Sequence, residues 1–139
     1  MINRLSIIIP AYNEENNIKS TIKSVAKSTH HPREIIVIDD GSSDGTALKV
    51  QEAAATLPEE TITLITIPNG GKAEALNVGV ANASYDALIA IDGDTVIHRN
   101  AIAALVSHFT DQTVGAVAGK IVAVGKENLL ATFQDIEYT

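Results

Sequence analysis

Four short runs rich in isoleucine and valine, at residues 5–9, 34–39, 62–67 and 87–92, recur at an interval of roughly 28 residues. A fifth apolar run crosses residues 114–124. The first, second and fourth are nearly continuous in apolar character, which suits strands buried on both faces of a parallel sheet. The third alternates Ile62, Leu64 and Thr66 against Thr61, Thr63 and Ile67, as expected nearer a sheet edge. Helix-period stripes fall between the runs: Ile18, Ile22 and Val25; Ala47, Val50, Ala54 and Leu57; Ala73, Leu76, Val80 and Ala83; and Ile102, Leu105, Val106 and Phe109. Asn13, Asp44 and Asn100 stand where helix caps are expected. Pro32, Pro58 and Pro68 fall between elements. Strands alternating with helices, joined by connections too long for hairpins, predict βαβ units in an α/β fold with a parallel sheet. The whole chain, 1–139, is expected to be one domain.

Composition narrows the function. Ten Lys+Arg against 17 Asp+Glu give a net charge of −7, which argues against nucleic acid or an anionic membrane surface as a bulk partner. The absence of cysteine excludes disulfides and thiolate metal sites. No apolar run reaches the roughly 18–20 residues of a membrane span, and no signal-peptide pattern opens the chain. These features lead to the expectation of a soluble, cytoplasmic domain.

In open α/β sheets, ligands bind beyond the carboxyl ends of the strands. The segments that follow the first four runs are Pro10-Ala11-Tyr12-Asn13-Glu14, Asp39-Asp40-Gly41-Ser42-Ser43-Asp44-Gly45, Asn69-Gly70-Gly71-Lys72 and Asp92-Gly93-Asp94-Thr95. All are polar or glycine-bearing and should open on one rim. Asp92 and Asp94 bring two like charges to a strand tip, an arrangement that a cation between or beside them relieves. Hard oxygen ligands on a short loop suit Mg²⁺ or Mn²⁺ shared with substrate phosphates. Gly93 would allow close approach of a ligand or metal. Successive strand residues face opposite ways, so one of Asp39 and Asp40 faces the ligand, where it could accept hydrogen bonds from a base or sugar. Lys72, near a helix start, would favour a diphosphate.

Competing motifs fail on their spacing. Ala73 follows Lys72, and Thr66 stands where a P-loop needs its first glycine. An EF-hand beginning at Asp40 reaches Gln51 where its last glutamate belongs. Neither a G-x-G-x-x-G after the first run nor a G-x-S-x-G elbow occurs. His30, His31, His98 and His108 lack metal-ligand spacing.

Taken in order, the segments 6–14, 36–46, 71–77 and 91–95 resemble a family 2 glycosyltransferase, and the similarity runs through essentially the whole chain. Segments 114–119 and 134–138 resemble the processive branch that makes poly-N-acetylglucosamine, cellulose and hyaluronan. The resemblance implies the Rossmann-like GT-A fold, a mostly parallel sheet flanked by helices. It also implies a nucleotide-sugar donor, here a UDP-sugar, and Mn²⁺ or Mg²⁺ as cofactor. An inverting transfer to a saccharide or other hydroxyl acceptor follows, in polysaccharide synthesis. Pro10, Ala11, Tyr12 and Glu14 match the family's nucleoside-binding loop. Asp40 matches a uracil contact, and Lys72 a basic residue near the nucleotide. Asp92 and Asp94 match the DxD pair, with Asp94 the metal ligand and Asp92 reaching donor ribose or metal.

The family's catalytic base lies in a Thr/Ser-Glu-Asp-type motif well downstream of DxD. Asp111, Glu127, Asp135 and Glu137 lack that context, and the Q-x-x-R-W acceptor motif is absent. The chain is therefore expected to be the donor-binding, N-terminal part of a longer enzyme, truncated before its base. Its parent is expected at the cytoplasmic face of the bacterial inner membrane, held by segments outside this sequence. Two alternatives stand beside this reading. Asp92-x-Asp94-x-Val96 also fits the nucleophile loop of haloacid-dehalogenase-type phosphatases, and the chain could be a non-catalytic nucleotide-binding domain.

Overall fold

The computed structural model describes residues 4–29 and 33–107. The run at 114–124, Phe109, Pro32, His30, His31 and His108, the acids after Asp94 named above and the segments 114–119 and 134–138 lie outside the described residues. Strands and helices alternate through the described chain: β1 (Leu5–Ala11), α1 (Ile18–Ala26), β2 (Arg33–Asp40), α2 (Thr46–Ala55), β3 (Thr61–Ile67), α3 (Lys72–Asn82), β4 (Leu88–Ala90) and α4 (Ala101–Val106). The sheet runs in the order β3-β2-β1-β4, and every pairing is parallel. As their nearly continuous apolar runs predict, β1 and β2 are central and wholly buried, whereas β4 covers only Leu88–Ala90 and is half-buried at both of its ends. β3 is an edge among the described residues, with its threonines exposed.

The two sheet faces carry different helices. Leu5, Ile7 and Ile9 of β1 pack with Ile35 and Val37 of β2 against Ile18, Ile22 and Val25 of α1, Val50 and Ala53 of α2, and Ile102 of α4. On the other face Ile8, Ile36 and Ile38 pack against Ala75 of α3. The stripe expected on α1 is the buried one, and on α4 Ile102 and Leu105 are buried while Val106 is half-buried. The stripes on α2 and α3 are rotated. α2 buries Thr46, Val50 and Ala53 rather than Ala47 and Ala54. α3 buries Ala75 and Gly79, while Ala73 and Val80 are exposed. Close packing explains the second difference. A Cβ at Gly79 would stand 2.4 Å from Cγ2 of Ile8, so α3 sits nearer the sheet than any larger residue allows.

The cleft opens where β1 and β4 part. Ser6 donates its amide to Ala87 at 2.9 Å, and Ile8 accepts from Ile91 at 2.9 Å. The next β1 amide facing that side belongs to Pro10, which has none. β1–β4 pairing stops at Ile8 while β1–β2 pairing continues to Ala11. The strand order reverses direction at the same point, β2 lying on one side of β1 and β4 on the other.

Candidate active site at the strand tips

All the residues expected in the site line one cleft of about 380 Å³: Pro10, Ala11, Tyr12, Glu14, Asp40, Lys72, Asp92 and Asp94, joined by Asn69, Gly71 and Gly93. Tyr12 is half exposed at its wall. The register separates the adjacent acids. Asp39 pairs with Ala11 on the α1–α2 face and folds back to accept the Ser42 amide at 3.0 Å. Asp40 takes the opposite face and the cleft wall. Its Oδ1 accepts the Gly70 amide at 2.8 Å and its Oδ2 the Gly71 amide at 3.1 Å.

The Asp92-Gly93-Asp94 turn is docked rather than free. The Gly93 carbonyl accepts the Thr21 hydroxyl at 2.9 Å, and the Thr95 amide donates to the Asp92 carbonyl at 3.1 Å. A Cβ at Gly93 would stand 3.1 Å from Cβ of Ala11 and 3.2 Å from the Pro10 carbonyl oxygen. The close approach at this glycine is made by the end of β1. The Lys72 ammonium, more than half exposed, bonds the carboxylate of Asp92, which is 19% exposed. The Asp94 side chain is exposed.

Among the described residues no group of three or more His, Cys, Asp or Glu could hold a metal ion. The turn after β4 supplies two carboxylates, those of Asp92 and Asp94. That set fits a hard divalent ion whose remaining ligands come from water and a bound phosphate.

The β1–α1 loop is clasped to the β2–α2 loop, a feature the sequence did not announce. Asn13 does not cap α1, which begins at Ile18 behind Asn17. It adopts φ +53°, donates its amide to Ser42 Oγ at 2.9 Å and accepts the Ser43 amide on Oδ1 at 2.8 Å. The Glu14 amide donates to Thr46 Oγ1 at 2.8 Å, and Glu15 Oε1 accepts the Gly45 amide at 2.8 Å. The N-cap of α2 is Gly45 rather than Asp44, which stands one residue earlier and accepts the Thr46 amide at 3.0 Å and the Glu15 amide at 3.3 Å. Desolvation raises the Asp44 carboxyl pKa. Hydrogen bonds from Thr46 and from the Glu15 amide outweigh it and hold the group below the ordinary aspartate value. Asn100 precedes α4 as expected, but its side chain makes no capping bond. These contacts fix Tyr12 and Glu14 to the same frame as Asp40.

A parallel sheet with an acidic, lysine-bearing cleft at its switch point defines an open α/β domain with a ligand cleft beyond its strand ends. The sequence pattern of the family described as Glycosyl transferase family 2 matches residues 6–137, and the chain belongs to that family. A poly-β-1,6-N-acetyl-D-glucosamine synthase of Staphylococcus aureus (strain MSSA476) is 34% identical over 135 residues, covering 96% of this chain and 32% of that protein. The chain thus spans about a third of the length of the curated relatives it matches. Among solved structures, a mannosyltransferase from Pyrobaculum calidifontis in complex with GDP-Man and Mn²⁺ superposes with a TM-score of 0.76 at 30% identity. It covers 80% of this chain and 33% of that one. The TarS 1–349 fragment of S. aureus in complex with UDP-GlcNAc gives 0.66 at 25% identity, covering 76% and 31%. The fold is that of the GT-A glycosyltransferases.

Proposed function

We propose that this domain binds a nucleoside-diphosphate sugar, a UDP-sugar, and presents it for inverting transfer to a saccharide or other hydroxyl acceptor in polysaccharide synthesis. The observation that carries this reading is the convergence of Asp40, Lys72, Asp92 and Asp94 on one cleft beside Tyr12. Tyr12 offers an aromatic face to the base. Asp40, an acceptor on the wall, suits an N–H donor of the base. Lys72 brings a cation to the diphosphate as negative charge builds on the leaving group. Asp94, with Asp92, would hold Mn²⁺ or Mg²⁺. When bound, that ion acts as a Lewis acid and template on the departing diphosphate. Mn²⁺ accompanies GDP-Man in the mannosyltransferase neighbour, and Mg²⁺ shares the preference for hard oxygens.

In this reading Asp40, Asp92 and Asp94 have donor or metal roles and Glu14 belongs to the nucleoside-side loop, and the base that takes the acceptor's proton comes from outside the cleft. Membership of the glycosyltransferase family disfavours the phosphatase alternative.

Calorimetric titration with UDP, UDP-GlcNAc and GDP, in Mn²⁺ and in chelator, tests the proposal. UDP is expected to bind in Mn²⁺ and to weaken by at least about tenfold in chelator. Equal affinity in both, or no binding in either, would contradict it. A preference for GDP would overturn the uridine assignment alone.

A further inference from the structure

The end of β2 holds the β3–α3 loop at three points. Both oxygens of the Asp40 carboxylate are taken by successive amides, those of Gly70 and Gly71, at 2.8 and 3.1 Å. The Asp40 carbonyl accepts the Asn69 side-chain amide at 3.0 Å. The fit is close, because a Cβ at Gly41 (φ +71°) would stand 2.5 Å from the backbone nitrogen of Asn69. Gly71 adopts φ +97°, and α3 begins at the next residue, Lys72. Lys72 reaches across the cleft to Asp92. Asp40, Gly70, Gly71, Lys72 and Asp92 thus form a continuous path from the end of β2 to the turn after β4.

We propose that Asp40 is a positioning residue for the phosphate end of the cleft. By pinning Gly70 and Gly71 it fixes where Lys72 stands, separately from any contact it makes with a base. The inference rests on the nucleoside-diphosphate reading above. Two consecutive glycines have more backbone freedom than any other pair, so a loop built on them needs an external hold. Two charge-assisted bonds to one carboxylate supply it, and such bonds are about twice as strong as neutral ones. Asparagine at this position keeps one acceptor and turns an NH₂ group against the other amide.

The test uses Asp40→Asn and Gly71→Ala with two partial ligands, uridine and inorganic pyrophosphate, in nuclear magnetic resonance titrations. Gly71→Ala disturbs the loop from its other side: its Cβ meets nothing within 4 Å, but its positive φ is strained. Asp40→Asn is expected to weaken pyrophosphate by about threefold or more, and to add nothing in a Lys72→Ala background. Gly71→Ala is expected to weaken pyrophosphate and leave uridine unchanged. In ligand-free protein both substitutions should move the side-chain nitrogen resonance of Lys72 away from its ion-paired position. Loss of uridine binding in Asp40→Asn, with pyrophosphate affinity and the Lys72 resonance both unchanged, would overturn the inference. Failure of the wild-type protein to bind either ligand would overturn the nucleoside-diphosphate reading, while the Lys72 resonance still decides whether Asp40 sets its position.

Discussion

Asp94→Ala is expected to weaken Mn²⁺-dependent UDP binding by more than roughly a hundredfold, beyond the effect typical of a lost outer-shell partner. The turn after β4 carries two carboxylates, and one of them, Asp92, is bonded to Lys72. Removing Asp94 leaves no undivided carboxylate on the turn. The Asp94 side chain is exposed, so its removal should leave the thermal midpoint unchanged and separate binding from folding. Calorimetry in Mn²⁺, paired with a melting curve, reads both. Wild-type affinity in Asp94→Ala would remove the DxD pair from the account.

The largest effect on stability is expected at the opposite end of the sheet. Arg33 opens β2 with its side chain 1% exposed. Its Nη2 bonds Glu60, 11% exposed, at 2.8 Å and the Ala26 carbonyl at 2.7 Å. Glu60→Ala removes a carboxylate from a guanidinium that water barely reaches, while its bonds to the Ala26 and Ser28 carbonyls remain. The expected loss is about 3 kcal/mol, the lower end of the range for breaking a buried pair from one side. The pair formed by Lys19 and Glu52 at 3.1 Å is the control, since both side chains are more than a third exposed. Glu52→Ala should leave the denaturation midpoint nearly where it was. Urea unfolding of the two variants decides the matter. Equal midpoints would show that burial does not set the strength of these pairs here.

The parallel sheet was legible because a strand buried on both faces has few ways to look other than 5–9 or 34–39 in this sequence. The rim was legible because the polar residues gather directly after those runs, and the register decides between Asp39 and Asp40. Helix faces were read less well where hydrophobicity and packing diverge. Val80 carries more apolar surface than Gly79, but only glycine fits against Ile8, so the buried face follows the small residue. Asn13 looked like a cap because capping is local. Its partners, Ser42 and Ser43, lie 29 and 30 residues away, and no pattern in the β1–α1 segment announces them. The contact between Lys72 and Asp92 was invisible for the same reason, as it spans 20 residues.

In the proposed function, the tips of β1, β2 and β4 and the start of α3 form one site for a nucleoside diphosphate and a divalent ion. Paramagnetic broadening of amide resonances by Mn²⁺ in the presence of UDP tests it most directly, since it locates the ion on the molecule. Loss of the Tyr12, Gly71, Gly93 and Asp94 signals is expected at low Mn²⁺. The Glu34 and Ser84 signals, at the far end of strands roughly 20 Å long, should persist. Broadening centred elsewhere, or broadening at the cleft that UDP does not enhance, would contradict it.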